Sequence, residues 1–160
     1  MAFGVFYLIM SKEHKPKIAV IDGMGGNIGH QIVSQLRQGL PADVEILVFG
    51  TNSAATANMM KARASRGATG ENAIRVSIGD ADIIVAPAAV TTPNSYMGEL
   101  TPGMAEAIAS ATAEKVLLPL SQPRVHLVAA ARVPLPHLME EAIKKVRELL
   151  GIDEEVKADV

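Results

Sequence analysis

The sequence predicts an α/β fold with a mainly parallel sheet of five or six strands flanked by helices, on three observations. The runs KIAVID, VEILVF and ADIIVA are short and apolar, the form of strands buried on both faces. Segments of helical periodicity alternate with them, as in sheets whose parallel strands are joined by crossover helices. A glycine-rich turn joins the first strand to the first helix. The chain has 160 residues, enough for one domain with a substantial core, expected over 17–151.

The elements follow in order. Lys17–Asp22 is a strand bounded by Pro16 and Gly23. Ile28, Ile32, Val33 and Leu36 place a helix over Asn27–Gln38, stopped by Gly39 and Pro41. Val44–Phe49 is the second strand. Ser53–Arg66 reads as an Ala- and Met-rich helix ending at Gly67, capped by Thr51, Asn52 or Ser53. Asn72–Ile78 reads as a third strand and Ala81–Ala86 as a fourth. Only Gly79 and Asp80 separate these two, too few for a crossover helix, so that half of the fold is expected to be irregular. Pro87–Gly98 is a long loop, a length often associated with function. A helix follows from Thr101 to Thr112, with Thr101 as cap and Pro102 at its first position. Lys115–Leu120 and Arg124–Ala130 are the fifth and sixth strands. Leu138–Leu150 is a final amphipathic helix stopped by Gly151, before a polar tail over 152–160.

Residues 1–16 form an extension that opens MAFGVFYLIM. No basic region precedes this apolar run, so it does not read as a signal peptide, and it is too short to span a bilayer. Met10 followed by SKEHKPK makes an ordinary start, so a start-site artefact is expected. An arm packing on a neighbouring subunit is the alternative.

Composition narrows the function. Aromatics are 3% of the chain with no Trp, which argues against stacking of single-stranded nucleic acid. The net charge of −2 gives no electrostatic attraction for nucleic acid or an anionic membrane. Without cysteine there is no disulfide, thiolate metal site or cysteine nucleophile. His14, His30, His126 and His137 lack metal-ligand spacing, so no metal is expected. His126 reads as a core histidine within the sixth strand, and His137 starts the last helix. A cytoplasmic protein is expected.

The turn reads Gly23-Met24-Gly25-Gly26-Asn27-Ile28-Gly29. Glycine lets backbone approach a ligand closely, and the helix start offers unpaired N–H groups and a positive dipole end. Together they make an anion site suited to a pyrophosphate. The spacing is G-x-x-G-x-x-G, and it resembles the turn of malate dehydrogenases and extended short-chain dehydrogenases. Gly23, Gly25, Gly26, Asn27 and Ile28 would supply backbone amides. The acidic residue that ends the second strand of dinucleotide-binding folds and holds the ribose is missing. Thr51, Asn52 and Ser53 stand there instead, able to meet a sugar or simply to cap the next helix. Arg63 or Arg66 could add charge for a 2′-phosphate. NADP is therefore slightly favoured over NAD, with a mononucleotide or another phosphate open.

Asp22 would repel a bare phosphate and is expected to pin the turn through backbone N–H groups. Gly67–Asn72 either closes over the ligand or serves as a turn. Glu99 and Tyr96, on the long loop, are the weak candidates for catalysis. Tyr96 has Leu100 four residues on, not the Lys of the Tyr-x-x-x-Lys pair of short-chain dehydrogenases.

The strings KIAVIDGMGGNIG, GATGENAI, ADIIVAPAAV and GELTPGMAEAI are similar to a family of small bacterial proteins classed as a domain of unknown function. The likeness covers about Lys17 to Ile143, and GATGENAI is its most specific part. It implies a three-layer Rossmann-like fold, without a substrate or catalytic residues. The leading expectation is a protein that binds NAD(P) or a related nucleotide. A small enzyme acting on a phosphorylated or carboxylated metabolite is one alternative, and a non-catalytic regulatory or assembly subunit the other. A homo-oligomer is expected.

Overall fold

The computed structural model describes residues 14–128 and 133–152. The MAFGVFYLIM run, the end of the expected sixth strand and the tail from Asp153 lie outside them.

Five parallel strands form one sheet: β1 Lys17–Asp22, β2 Glu45–Gly50, β3 Arg66–Thr69, β4 Ile83–Pro87 and β5 Glu114–Leu118. Their order is β3-β2-β1-β4-β5. The helices are α1 Asn27–Gly39, α2 Ser53–Lys61, α3 Glu71–Ser77, α4 Pro102–Ser110 and α5 Leu135–Leu149. The strand pleat sends alternate residues to opposite faces and so builds two cores. Ile18 and Val20 pack with Ile32, Leu36, Met59 and Val146, from α1, α2 and α5. Ala19 and Ile21 pack with Ile74, Met104 and Ile108, from α3 and α4. The three layers are therefore helices, sheet and helices.

β1, α1, β2, β4, α4 and β5 stand within one or two residues of their expected bounds. Other elements depart from the reading. Asn72–Ile78, expected as a strand, lies mostly in helix α3. Its Ile74, Val76 and Ile78 alternate like a strand, but Ile74 and Ile78 are buried, one helical turn apart, while Val76 is 72% exposed. Seven residues are too few to separate the two periods. The third strand is instead β3, Arg66–Thr69, whose sequence Arg-Gly-Ala-Thr at the sheet edge carries no apolar run. The expected helix Ser53–Arg66 stops at Lys61, because Arg63 turns left-handed and Ser65 already donates to Ile46 O (2.8 Å).

Gly67 is thus a strand residue and not a helix stop. Arg124–Val128 forms no strand, only a bridge between Gln122 and Val125. His126 is accordingly exposed, not in the core. The last helix begins three residues earlier than expected, at Leu135, with Pro136 in its first turn, where a missing N–H costs nothing.

Outside the expected domain boundary, His14 and Pro16 also join the fold. His14 pairs with Asp82 (2.9 Å), and Pro16 O accepts from Glu45 N (3.0 Å). Arg37, at the end of α1, donates to Arg63 O, Val44 O and Ser65 Oγ at 2.7–2.9 Å, tying the helix to the turns that enter β2 and β3.

The order β3-β2-β1-β4-β5 makes β1 and β4 neighbours, and the chain reverses its direction of sheet growth between them. A crevice beyond the carboxyl ends of strands at such a point is where open α/β sheets place ligands. The glycine turn after β1 and the loop after β4 meet there.

Candidate functional site

Asp22 ends β1 and is 3% exposed. Its Oδ1 accepts from Gly23 N (2.8 Å) and Tyr96 Oη (3.2 Å), and its Oδ2 accepts from Gly29 N (2.7 Å). The carboxylate therefore pins both ends of the turn and holds the loop after β4 against it. Burial pushes its pKa above the usual carboxylate value, against the amides of Gly29 and Gly23 and the Tyr96 hydroxyl, which favour the charge.

The turn is closed on its α2 side. Gly26, at φ +73°, lies against the backbone of Ala55, and Gly29 against Met59. Asn58 of α2 donates to Gly25 O and Asn27 Oδ1, both at 3.0 Å, and its carbonyl meets His30 Nδ1 at 2.8 Å. Asn58 escaped the sequence reading; its only signal is an amide among the Ala and Met residues of α2.

Of the five residues expected to offer amides, two do not. Gly23 N–H is taken by Asp22, and Gly26 N–H by Gly23 O (2.9 Å). The N–H groups of Gly25, Asn27 and Ile28 meet no acceptor among the described residues. Gly25 and Asn27 are exposed and Ile28 is half-buried, so the open amides of the turn are those of these three residues and not of the whole turn.

Asn52 caps α2, accepting from Ala55 N (2.9 Å). Its Nδ2 nevertheless remains a donor, to Met24 O (2.8 Å) and to Glu99 Oε1 (2.7 Å). Thr51 Oγ1 donates to the same Glu99 oxygen (2.6 Å), as does Met24 N (2.9 Å). Ser53 is exposed at the start of α2 and lies outside this set. Glu99 thus crosses from the loop after β4 to join the turn to the end of β2. Arg63 and Arg66, expected near a 2′-phosphate, lie elsewhere. Arg66 begins β3 beside Leu47 and pairs with Glu45 (2.6 Å), and Arg63 O accepts from Arg37 at the end of α1, so both residues sit toward the amino end of the strands, away from the turn.

Gly70, at φ +93°, leads from β3 into α3, and Glu71 accepts from Thr101 Oγ1 (2.9 Å). Gly67–Asn72 is therefore most of β3, a turn at Gly70 and the start of α3, braced against the start of α4. Among the described residues, no three His, Asp or Glu side chains converge as a metal site, and no helix is long and apolar enough to cross a membrane.

The two catalytic candidates are poorly set for proton abstraction. Burial raises the Tyr96 phenol far above its usual range, reinforced by the Asp22 carboxylate and, further off, Glu99. The Thr51 hydroxyl bond, opposed by partial burial and helped by the Met24 amide and Asn52, holds Glu99 below its usual value, hence ionised. A depressed folded pKa stabilises the fold above the ordinary glutamate value of 4.5 and loses that effect as pH falls through the folded pKa. Wild type is thus expected to lose stability relative to Glu99→Gln on acidification from about pH 6 to about pH 3 in urea unfolding. A constant difference across that range would contradict the contact.

The chain belongs to the family described as Domain of unknown function (DUF3842), whose model matches residues 17–151. Among curated proteins, none matches. Among solved structures the chain is similar to a dodecameric FMN-dependent UbiX-like decarboxylase from Escherichia coli O157:H7. The two share 12% identity over 88% of this chain and 96% of that chain, with a TM-score of 0.42.

Proposed function

We propose that this protein binds a nucleotide, an NAD(P)-type dinucleotide or a related phosphate-bearing one, at the edge of the glycine turn. The observation that carries the reading is the set of N–H groups on Gly25, Asn27 and Ile28. They are unpaired among the described residues, stand at the start of a 13-residue helix, and lie at the switch point of a parallel sheet. Backbone N–H groups and the helix dipole favour phosphate there. Thr51 and Asn52 stand beside them, at the end of β2, where the sugar of such a ligand lies. The environments of Glu99 and Tyr96 favour binding over proton transfer, so no reaction is part of the proposal. A homo-oligomer is: Leu127, Val128 and Val133 expose apolar side chains at 43%, 94% and 44%.

Gly25→Val tests the reading. A Cβ at Gly25 meets only the Asn27 side chain, at 3.7 Å, so the fold tolerates it while the ligand's approach is blocked. Calorimetry with NAD, NADP and ADP is expected to show binding to wild type, weakened about tenfold or more in Gly25→Val. No heat from any of the three with wild type would overturn the proposal.

A further inference from the structure

The end of β2 lacks an acidic side chain, yet a carboxylate stands there. Glu99 arrives from the loop after β4, 48 residues along the chain from Thr51. Its Oε1 takes three donors: Met24 N, Thr51 Oγ1 and Asn52 Nδ2. These fix the position of the carboxylate. Its Oε2 has no partner among the described residues, and the residue is partly exposed, beyond the carboxyl ends of β1 and β2.

We infer that Glu99 is the ribose-binding and specificity-determining residue of this site, selecting a nucleotide with a free vicinal diol over one phosphorylated at that sugar. The inference rests on the nucleotide reading above. A carboxylate accepts hydrogen bonds only, and a ribose diol offers O–H donors to the unpartnered Oε2. A phosphate in the same place offers only acceptors and brings like charge against a carboxylate that Thr51, Met24 and Asn52 keep ionised. Arg63 and Arg66, the cations the sequence offers for a sugar phosphate, lie toward the opposite end of the strands. The slight preference for NADP drawn from the sequence is therefore reversed in favour of NAD.

The surrounding loop supports a fixed carboxylate. Tyr96 and Met97 adopt left-handed backbone (φ 56° and 57°), and Tyr96 is anchored to Asp22. Ser95 Oγ donates to Ala89 O (2.6 Å), which braces the same loop from its other side.

Glu99→Gln separates charge from shape. The glutamine carbonyl can accept from Met24, Thr51 and Asn52 as the carboxylate does, and its NH2 replaces the free Oε2. An acceptor for a diol thereby becomes a donor for a phosphate. Calorimetry of wild type with NAD and NADP is expected to show NAD binding about tenfold or more tighter. In Glu99→Gln the ratio is expected to fall to about threefold or less, chiefly through a gain for NADP. Equal affinities in wild type, or a preference unchanged in Glu99→Gln, would overturn the role of Glu99 and leave nucleotide binding standing. Absence of binding by both ligands in both proteins would overturn the nucleotide reading and this inference with it. The wild-type comparison needs no variant, so a poorly folded Glu99→Gln does not shield the inference.

Discussion

Gly26→Ala is expected to destabilise the protein by about 2–5 kcal/mol, the sum of two separate effects. Gly26 sits at φ +73°, where a Cβ costs about 1–2 kcal/mol against the adjoining backbone. An added Cβ would also stand 2.7 Å from Ala55 Cα and 2.8 Å from Ala55 O. Those are backbone atoms of α2, so no rotamer change relieves the contact, and helix and turn must separate at a further cost of about 1–3 kcal/mol. For a domain stable by about 5–15 kcal/mol, this is a large fraction. Urea unfolding should show it as a lowered midpoint with the m-value unchanged. Gly79→Ala is the control, since nothing lies within 4 Å of a Cβ there and its φ is not positive. A loss at Gly26 no larger than at Gly79 would contradict the close approach of α2. The same geometry makes Gly26 a poor place to probe ligand binding, because loss of the turn and loss of the site would coincide. Gly25 serves better.

Asp22→Asn is expected to cost about 1–3 kcal/mol at neutral pH, although the side chain keeps its size. The two carboxylate oxygens accept from Gly23 N and Gly29 N. An amide can accept from one of these, and its NH2 then faces the other N–H, leaving a buried donor unsatisfied. Tyr96 Oη, 3.2 Å from Oδ1, loses an ionised acceptor as well, so the loop after β4 should loosen. The sign of the pH dependence is opposite to that of Glu99. Burial raises the folded pKa of Asp22 above 3.8, so its titration contributes stability below that value and the contribution is lost as pH rises through the folded pKa. The advantage of wild type over Asp22→Asn should therefore be larger in acid than at neutrality. Unfolding both proteins across that range checks it, and an advantage that grows with pH would show that the amides of Gly23 and Gly29 outweigh burial.

The strand–turn–helix of Lys17–Gly39 was legible because each signal there is local. Apolar residues fill the four positions from Ile18 to Ile21, inside a run bounded by Pro16 and Gly23, and helical spacing runs on to Gly39. Burial on both faces needs just such a run. The segment from Arg63 to Ile78 was not legible for the converse reason. β3 is four residues at a sheet edge, mostly exposed, and is held by pairing with β2 and not by apolar content. α3 is seven residues, and its Ile74 with Ile78 just beyond its end satisfies either period. There the tertiary partners decide: Ile74 and Ile78 join one buried cluster with Leu47, Phe49 and Met104, as a helix lying over the sheet allows.

The candidate site divides in the same way. A glycine turn opening a helix, and Asp22 as its anchor, are readable from residues within one strand–turn–helix unit, and the parallel sheet from the alternation of such units along the chain. Packing between elements decided which amides stay free, because Asp22 and Gly23 consume those of Gly23, Gly26 and Gly29. It also decided that a carboxylate stands at the end of β2, that of Glu99, 47 residues beyond Asn52. No spacing rule reaches that far. The pairing of β4 with β1 brings the loop after β4 to the turn, and the sheet order, not the local sequence, sets that neighbour.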